Sequence, residues 1–181
     1  MTGNNDKMID FTTARLRIRD PLPGDLEGWH CLWSDTQNLR FVQDLQSHSL
    51  EKSRAELQQA IQAARENPRA KWYFAVELAQ TGEFIGDIGF SMETKEDDMQ
   101  GGLGWFFLPE HQGRGYATEV FLALIPRMFS EWGVTLIHAG CNAANRASER
   151  VMQKGGLTLV KREGERLQYQ LTKKDWENRH P

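Results

Sequence analysis

The spacing of apolar residues changes along this chain from every second position to every third or fourth and back, and each change marks an element. In residues 13–19 Leu16 and Ile18 alternate with Arg15, Arg17 and Arg19, which predicts a strand with one apolar face. Pro21, Pro23 and Gly24 end it. Residues 25–33 carry Leu26, Trp29, Leu32 and Trp33 on one side of a short helix. Ser49 is placed to cap a second helix, along which Leu50, Leu57, Ile61 and Ala64 recur until Pro68. Lys71–Leu78 and residues 83–91 read as the two strands of a hairpin turned at Thr81-Gly82. Residues 92–102, with Glu93, Glu96, Asp97 and Asp98, read as a polar loop. Residues 103–108 (LGWFFL) are nearly all apolar, as a buried central strand would be.

The strongest helical pattern follows. Ala117, Val120, Phe121, Leu124, Ile125, Met128, Phe129 and Trp132 share one face, and Gly133 is the expected stop. Pro126 sits inside this run and removes the bond to the Leu122 carbonyl. Residues 134–141 read as a strand and residues 145–154 as a helix ended by Gly155-Gly156. Residues 157–161 and Arg166–Thr172 form a closing hairpin about Gly164. This order of elements predicts an α/β chain: a mixed sheet with helices on both faces. The long helix crosses between two parallel strands, the fourth and the fifth.

A length of 181 residues fits a single domain, expected over residues 11–176 between a flexible segment 1–10 and a tail 177–181. A net charge of -3 does not suggest a nucleic-acid binder. No apolar run approaches the roughly eighteen residues of a membrane span, and the first residues lack an apolar signal core. Cys31 and Cys141 are the two cysteines and make neither a disulfide framework nor a zinc set. Together these features lead us to expect a cytoplasmic protein with reduced thiols, without metal, nucleic-acid or membrane partners.

The chemistry concentrates where the fourth expected strand hands over to the long helix, at Gln112-Gly113-Arg114-Gly115-Tyr116-Ala117. Glycines permit close backbone approach. The first N–H groups of a helix lack intrahelical partners and carry partial positive charge, so the turn is a phosphate cradle, with Arg114 adding a full charge. It lacks the Gly-Lys-Ser/Thr of the Walker loop and the complete Gly-x-Gly-x-x-Gly of the dinucleotide fingerprint.

Gln112-x-x-Gly115-x-Ala117 resembles the pyrophosphate loop of the GNAT acetyltransferases. The opening strand at Thr12–Arg19, the Leu103–Glu110 strand leading into the loop, and Ala117-Thr118-Glu119 are similar to the subgroup that holds the ribosomal-protein N-terminal (Rim-type) enzymes. So are Asn145-Arg146-Ala147-Ser148, Lys154-Gly155-Gly156-Leu157 and Leu171–Trp176. Gly156 and Leu157 depart from the subgroup's usual ending there. The resemblance covers about residues 11–176 and implies a seven-stranded, mostly antiparallel GNAT sheet whose parallel fourth and fifth strands splay apart. It implies acetyl-CoA as co-substrate, with its pantetheine arm along the backbone of Phe106, Phe107 and Leu108. The pyrophosphate would lie on Gln112, Gly113, Arg114, Gly115, Tyr116 and Ala117, with Asn145 on the far side of the arm. It also implies a primary-amine acceptor, either a small molecule or a protein N-terminus, and allows a homodimer. The alternative is a GNAT module that senses acyl-CoA without turning it over.

The resemblance implies a hydroxyl that protonates the departing thiolate, in many members a tyrosine further along this helix; none stands between Asn145 and Leu157, so Ser148, one turn beyond Asn145, is the candidate, also readable as a helix serine bonding its own backbone. The subgroup often carries a glutamate where this chain has Gly102, so the general base is not visible. Asp87 and His138 are the substitutes, each also readable as a hydrogen-bonded structural residue. Cys141 invites an acyl-enzyme reading but fits a small buried residue better. Trp29, Trp33, Trp72 and Trp105 fit either an acceptor pocket or the core. The acidic run at Glu93–Asp98 fits either an attractor of cations or a solvated hairpin tip.

Overall fold

The opening strand breaks where Thr13 folds back on Leu16. The Thr13 N–H donates to the Leu16 carbonyl at 2.8 Å, and the Thr13 hydroxyl accepts from the Leu16 N–H at 3.2 Å. In the computed structural model, which describes residues 8–42, 48–95 and 98–180, this turn separates β1 (Asp10–Thr12) from β2 (Leu16–Arg19). That division makes eight strands of the seven expected. Helices α1 (Leu26–Ser34), α2 (Thr36–Leu39) and α3 (Leu50–Ala63) come next, then β3 (Lys71–Leu78), β4 (Phe84–Lys95) and β5 (Asp98–Phe107). They are followed by α4 (Tyr116–Ser130), β6 (Leu136–Asn142), α5 (Arg146–Lys154), β7 (Thr158–Glu163), β8 (Arg166–Thr172) and α6 (Lys173–Arg179). The strands make one mixed sheet in the order β1-β2-β3-β4-β5-β6-β8-β7.

Residues expected to form a polar loop instead extend β4 and β5. A hairpin ladder satisfies their backbone groups while Glu93, Thr94 and Lys95 stay exposed. Glu96 and Asp97 lie outside the described residues. β5 is not buried throughout: Gly104 is exposed while Leu103 and Phe107 are buried, the pattern of a strand with two unlike faces. The closing strand ends at Thr172, as expected, and residues 173–176 of the segment similar to the subgroup open α6, because the Thr172 hydroxyl accepts from the Asp175 N–H and caps it.

The chain divides into two compact units: the described residues up to Phe90 with Trp105–Gln112, and Ser91–Gly104 with the residues from Gly113 on. In the first, Leu16 and Ile18 pair with Leu78 and Val76, and their side chains are fully buried with Phe74 and Ile85. Arg19, expected on a polar face, is buried. Asp25 at 2.6 Å and Glu77 neutralise it, which is how a buried guanidinium is tolerated. Trp29, Leu57 and Ala60 form a further cluster with Trp33 and Phe84 against it.

In the second unit Val120, Phe121, Leu124, Ile125, Met128 and Phe129 of α4 are all buried, as their spacing requires. β5 and β6 run parallel, as expected, with Gln100, Gly101 and Gly102 opposite Leu136, Ile137 and His138. Gly133 follows α4 with φ +74°, the left-handed stop its position predicts. No helix of the described residues is long and apolar enough to cross a membrane.

The Ser49 cap is present, its side chain accepting from the Lys52 N–H at 3.2 Å. Ser49→Ala should cost about 1 kcal/mol of stability, read as a small fall in the denaturation midpoint at unchanged slope.

Candidate active site

Within the first unit, the end of β5 is tied down closely. The Leu108 N–H donates to the Ile85 carbonyl at 2.9 Å, and the Leu108 carbonyl accepts from the His111 N–H at 2.9 Å. The side-chain amide of Gln112 donates at 2.8 Å to the Phe107 carbonyl and at 2.8 Å to Asn38 Oδ1. Gln112 therefore braces the turn against α2 with its side chain. Phe107 is buried, and Phe106 is half-buried. A carbonyl has two lone pairs, so that of Phe107 retains acceptor capacity beside this brace.

Trp33, Asp87 and Phe106, which the sequence offered only singly, come together here with His48, which it did not offer. Trp33 Nε1 donates to Asp87 Oδ2 at 2.9 Å. The Phe106 ring tilts against the Trp33 ring with centroids 4.5 Å apart, and His48 stacks on Trp33 at 5.4 Å. Burial pushes the Asp87 carboxyl up to about 7, while the Trp33 indole and the Phe106 backbone N–H hold it back from rising further. Burial also lowers His48 below the ordinary histidine value, helped by Lys52 and His30 and opposed by Glu56. Trp33 and Asp87 are 54 positions apart, so no local pattern could have paired them. Trp29 and Trp72, offered above for the same pocket, are core residues at 3% exposure each.

Within the second unit, Gly113 and Gly115 adopt φ of +75° and +81°, a region that glycine enters freely. Gly115 is the N-cap of α4 and supplies no side-chain oxygen to its first turn. Its carbonyl accepts the Glu119 N–H at 3.0 Å. Gly113, Arg114 and Gly115 are exposed, and Tyr116 and Ala117 are half-buried. An exposed helix start capped by glycine can receive an anion from outside.

Asn145 caps α5, its Oδ1 accepting the Ser148 N–H at 3.2 Å, so the two candidates stand side by side. Ser148 is half-buried, and its hydroxyl makes no hydrogen bond among the described residues. The bond to its own helix backbone that a back-bonded serine would make is absent among the described residues. Burial and the nearby Glu149 carboxylate push the Cys141 thiol up to about 11. It therefore stays protonated at neutral pH, which counts against an acyl-enzyme.

His138 lies against the glycine at position 102. A Cβ there would lie 2.8 Å from His138 Cε1, so the imidazole of β6 fills the space a larger residue would need. Burial lowers His138 below the ordinary histidine value. Among the described residues no three histidine, cysteine or carboxylate side chains gather as a metal site would require.

Comparison with known proteins bears on this arrangement. A family model for the acetyltransferase (GNAT) domain matches residues 15–158. The chain is 28% identical to the uncharacterized N-acetyltransferase YoaA of Bacillus subtilis over 87% of this chain and 85% of that one. Among solved structures, the ribosomal-protein-S5-alanine acetyltransferase of Vibrio fischeri superposes with a TM-score of 0.77 at 19% identity, covering 93% of this chain and 98% of that one. The spermidine N-acetyltransferase of Vibrio cholerae, in complex with CoA and spermine, superposes with a TM-score of 0.77 at 18% identity, covering 92% and 100%.

Proposed function

Because the chain belongs to the GNAT family and is an N-acetyltransferase, we propose that it moves the acetyl group of acetyl-CoA to a primary α-amine by direct attack. The observation that carries this reading is the exposed turn at Gly113 and Gly115, both at positive φ, where α4 begins without a side-chain cap. An anionic pyrophosphate suits that helix start, with Arg114 as a second attraction. The solved relative that binds CoA beside a polyamine, and the one named for an alanine of a ribosomal protein, support acetyl-CoA as co-substrate and an amine as acceptor.

In the proposed reaction the amine lone pair forms a bond to the thioester carbonyl carbon, and the tetrahedral intermediate expels sulfur as the C–S bond breaks. The amine loses one proton and the thiolate gains one, giving an amide and CoA. Ser148, with its uncommitted hydroxyl, donates to the sulfur and recovers its proton from water. Holding the two reactants together supplies much of the remaining acceleration.

The α-amine preference follows from acidity. An α-amine of pKa near 7.7–8.0 is neutral roughly a tenth to a fifth of the time at pH 7, whereas a lysine near 10.4 is neutral about a few times in ten thousand. No strong base stands at Gly102 to make up the difference. A peptide with a free N-terminus and one internal lysine tests the preference within a single molecule. With acetyl-CoA and this protein, the acetyl group should appear on the N-terminal nitrogen when the product is sequenced by mass spectrometry. Acetylation mainly at the lysine would contradict the reading.

A further inference from the structure

Asp87 is 6% exposed and has no cationic partner among the described residues. The other buried carboxylates of its unit are differently placed: Asp25 and Glu77 both hold Arg19, and Asp20 pairs with Arg69 at 2.8 Å. A buried carboxylate without a cation is costly, and folds retain such groups mainly where a ligand or a reaction uses them. Its surroundings suit one kind of ligand. Trp33 and Phe106 are only half-buried, and their rings meet beside the carboxylate that the Trp33 indole holds. Aromatic faces next to a carboxylate form the usual receptacle of an organic cation. A second, independent sign is His48. It stacks on Trp33, it is 7% exposed, and its Nδ1 is buried without a hydrogen-bond partner. Trp29 Nε1, in the core cluster, is left in the same way; His48 differs in stacking on a half-buried ring, where a polar group from outside can complete its bonding.

We propose that Asp87, walled by Trp33 and Phe106, receives the acceptor as its ammonium ion and takes the first proton from it. The proposal rests on the acetyl-transfer reading for its purpose, although the cation site itself does not. In the proton step one N–H bond breaks and its electron pair stays on nitrogen as the lone pair that attacks the thioester. The proton forms an O–H bond on Asp87 and later passes to water. Trp33 positions the carboxylate and does not itself react.

The acceptor class is thereby narrowed. Before the two meet, an α-ammonium of ordinary acidity lies within about one unit of this carboxyl, while a lysine ammonium lies about three units above it; pairing widens both gaps alike, so the α-ammonium keeps the smaller uphill transfer. The charged and titratable groups near this cluster are few. Besides Trp33 and Phe106 no group shifts Asp87, and His48 on Trp33 is influenced by Lys52, His30 and Glu56.

The Trp33 indole N–H reports on the site without any turnover. In nitrogen-15 spectra of the full chain, with the resonance assigned from Trp33→Phe, that signal should titrate with a midpoint near 7. Adding n-propylammonium chloride at constant ionic strength should lower the midpoint by about one unit, a tenfold stabilisation of the carboxylate. The uncharged n-butanol should leave it in place. Asp87→Asn should abolish both the titration and the response to propylammonium. A midpoint unmoved by propylammonium, or a titration that survives in Asp87→Asn and so belongs to His48, would overturn the proposal. The wild-type measurement stands alone if that variant folds poorly. If the site responds as described yet no amine is acetylated, the acetyl-transfer reading fails and the cation site remains.

Discussion

Gly115→Val is expected to raise the dissociation constant for acetyl-CoA at least tenfold, about 1.4 kcal/mol of binding free energy, while the protein still folds. Gly115 stands at φ +81° as the N-cap of α4. A β-branched residue is a genuine outlier there, and its side chain would stand on the surface proposed to receive the pyrophosphate. Backbone strain of this kind costs about 1–3 kcal/mol, so some loss of stability is expected as well. Gly164→Val provides the control. Gly164 also has positive φ, at +57°, and an added Cβ there meets nothing within 4 Å. It should pay a similar strain and bind acetyl-CoA normally by calorimetry. Equal affinity in Gly115→Val and wild type would remove the phosphate cradle from the account.

Ser148→Ala is expected to lower kcat on the order of a hundredfold, the usual contribution of a positioned general acid. Acetyl-CoA affinity should hardly change. The separation from stability is unusually clean at this position. The Ser148 hydroxyl bonds to nothing among the described residues, while its N–H is the group that Asn145 caps, and alanine keeps that N–H. Alanine is also the better helix former, so the melting temperature should hold or rise slightly. Stopped-flow measurement of thiol release would read the chemical step directly. Undiminished turnover would mean that water protonates the thiolate.

Local chemistry was legible in the sequence wherever neighbours along the chain decide it. The α4 face, the Gly133 stop, the Ser49 cap and the glycine turn before α4 all follow from spacing and residue type, whereas the Asn145 cap was not read from them. What escaped depends on partners distant along the chain. Arg19 looked like one of three solvated arginines because Glu77, 58 positions away, could not be seen to neutralise it. The acidic stretch read as a loop because polarity suggested no pairing, yet an exposed hairpin is polar on the outside and still pairs its backbone. Trp33 and Asp87 each had a bland explanation alone, Phe106 was read only for its backbone, and His48 was not singled out. Only their meeting shows a buried carboxylate beside half-open aromatic rings. Gly102 looked like a missing group, and the structure shows the His138 imidazole lying in the space a side chain there would take.

The most direct test of the whole account is CoA release from acetyl-CoA by the purified protein across a matched panel of amines at about pH 7.5: peptide α-amines, free amino acids, lysine side chains and polyamines, chosen to span the acidity range of roughly 7.7 to 10.4. The account predicts release that depends on the amine, with the highest kcat/KM among the α-amines. Acetyl-CoA that binds tightly while no amine speeds its turnover, or a polyamine or lysine side chain that outpaces every α-amine, would contradict it.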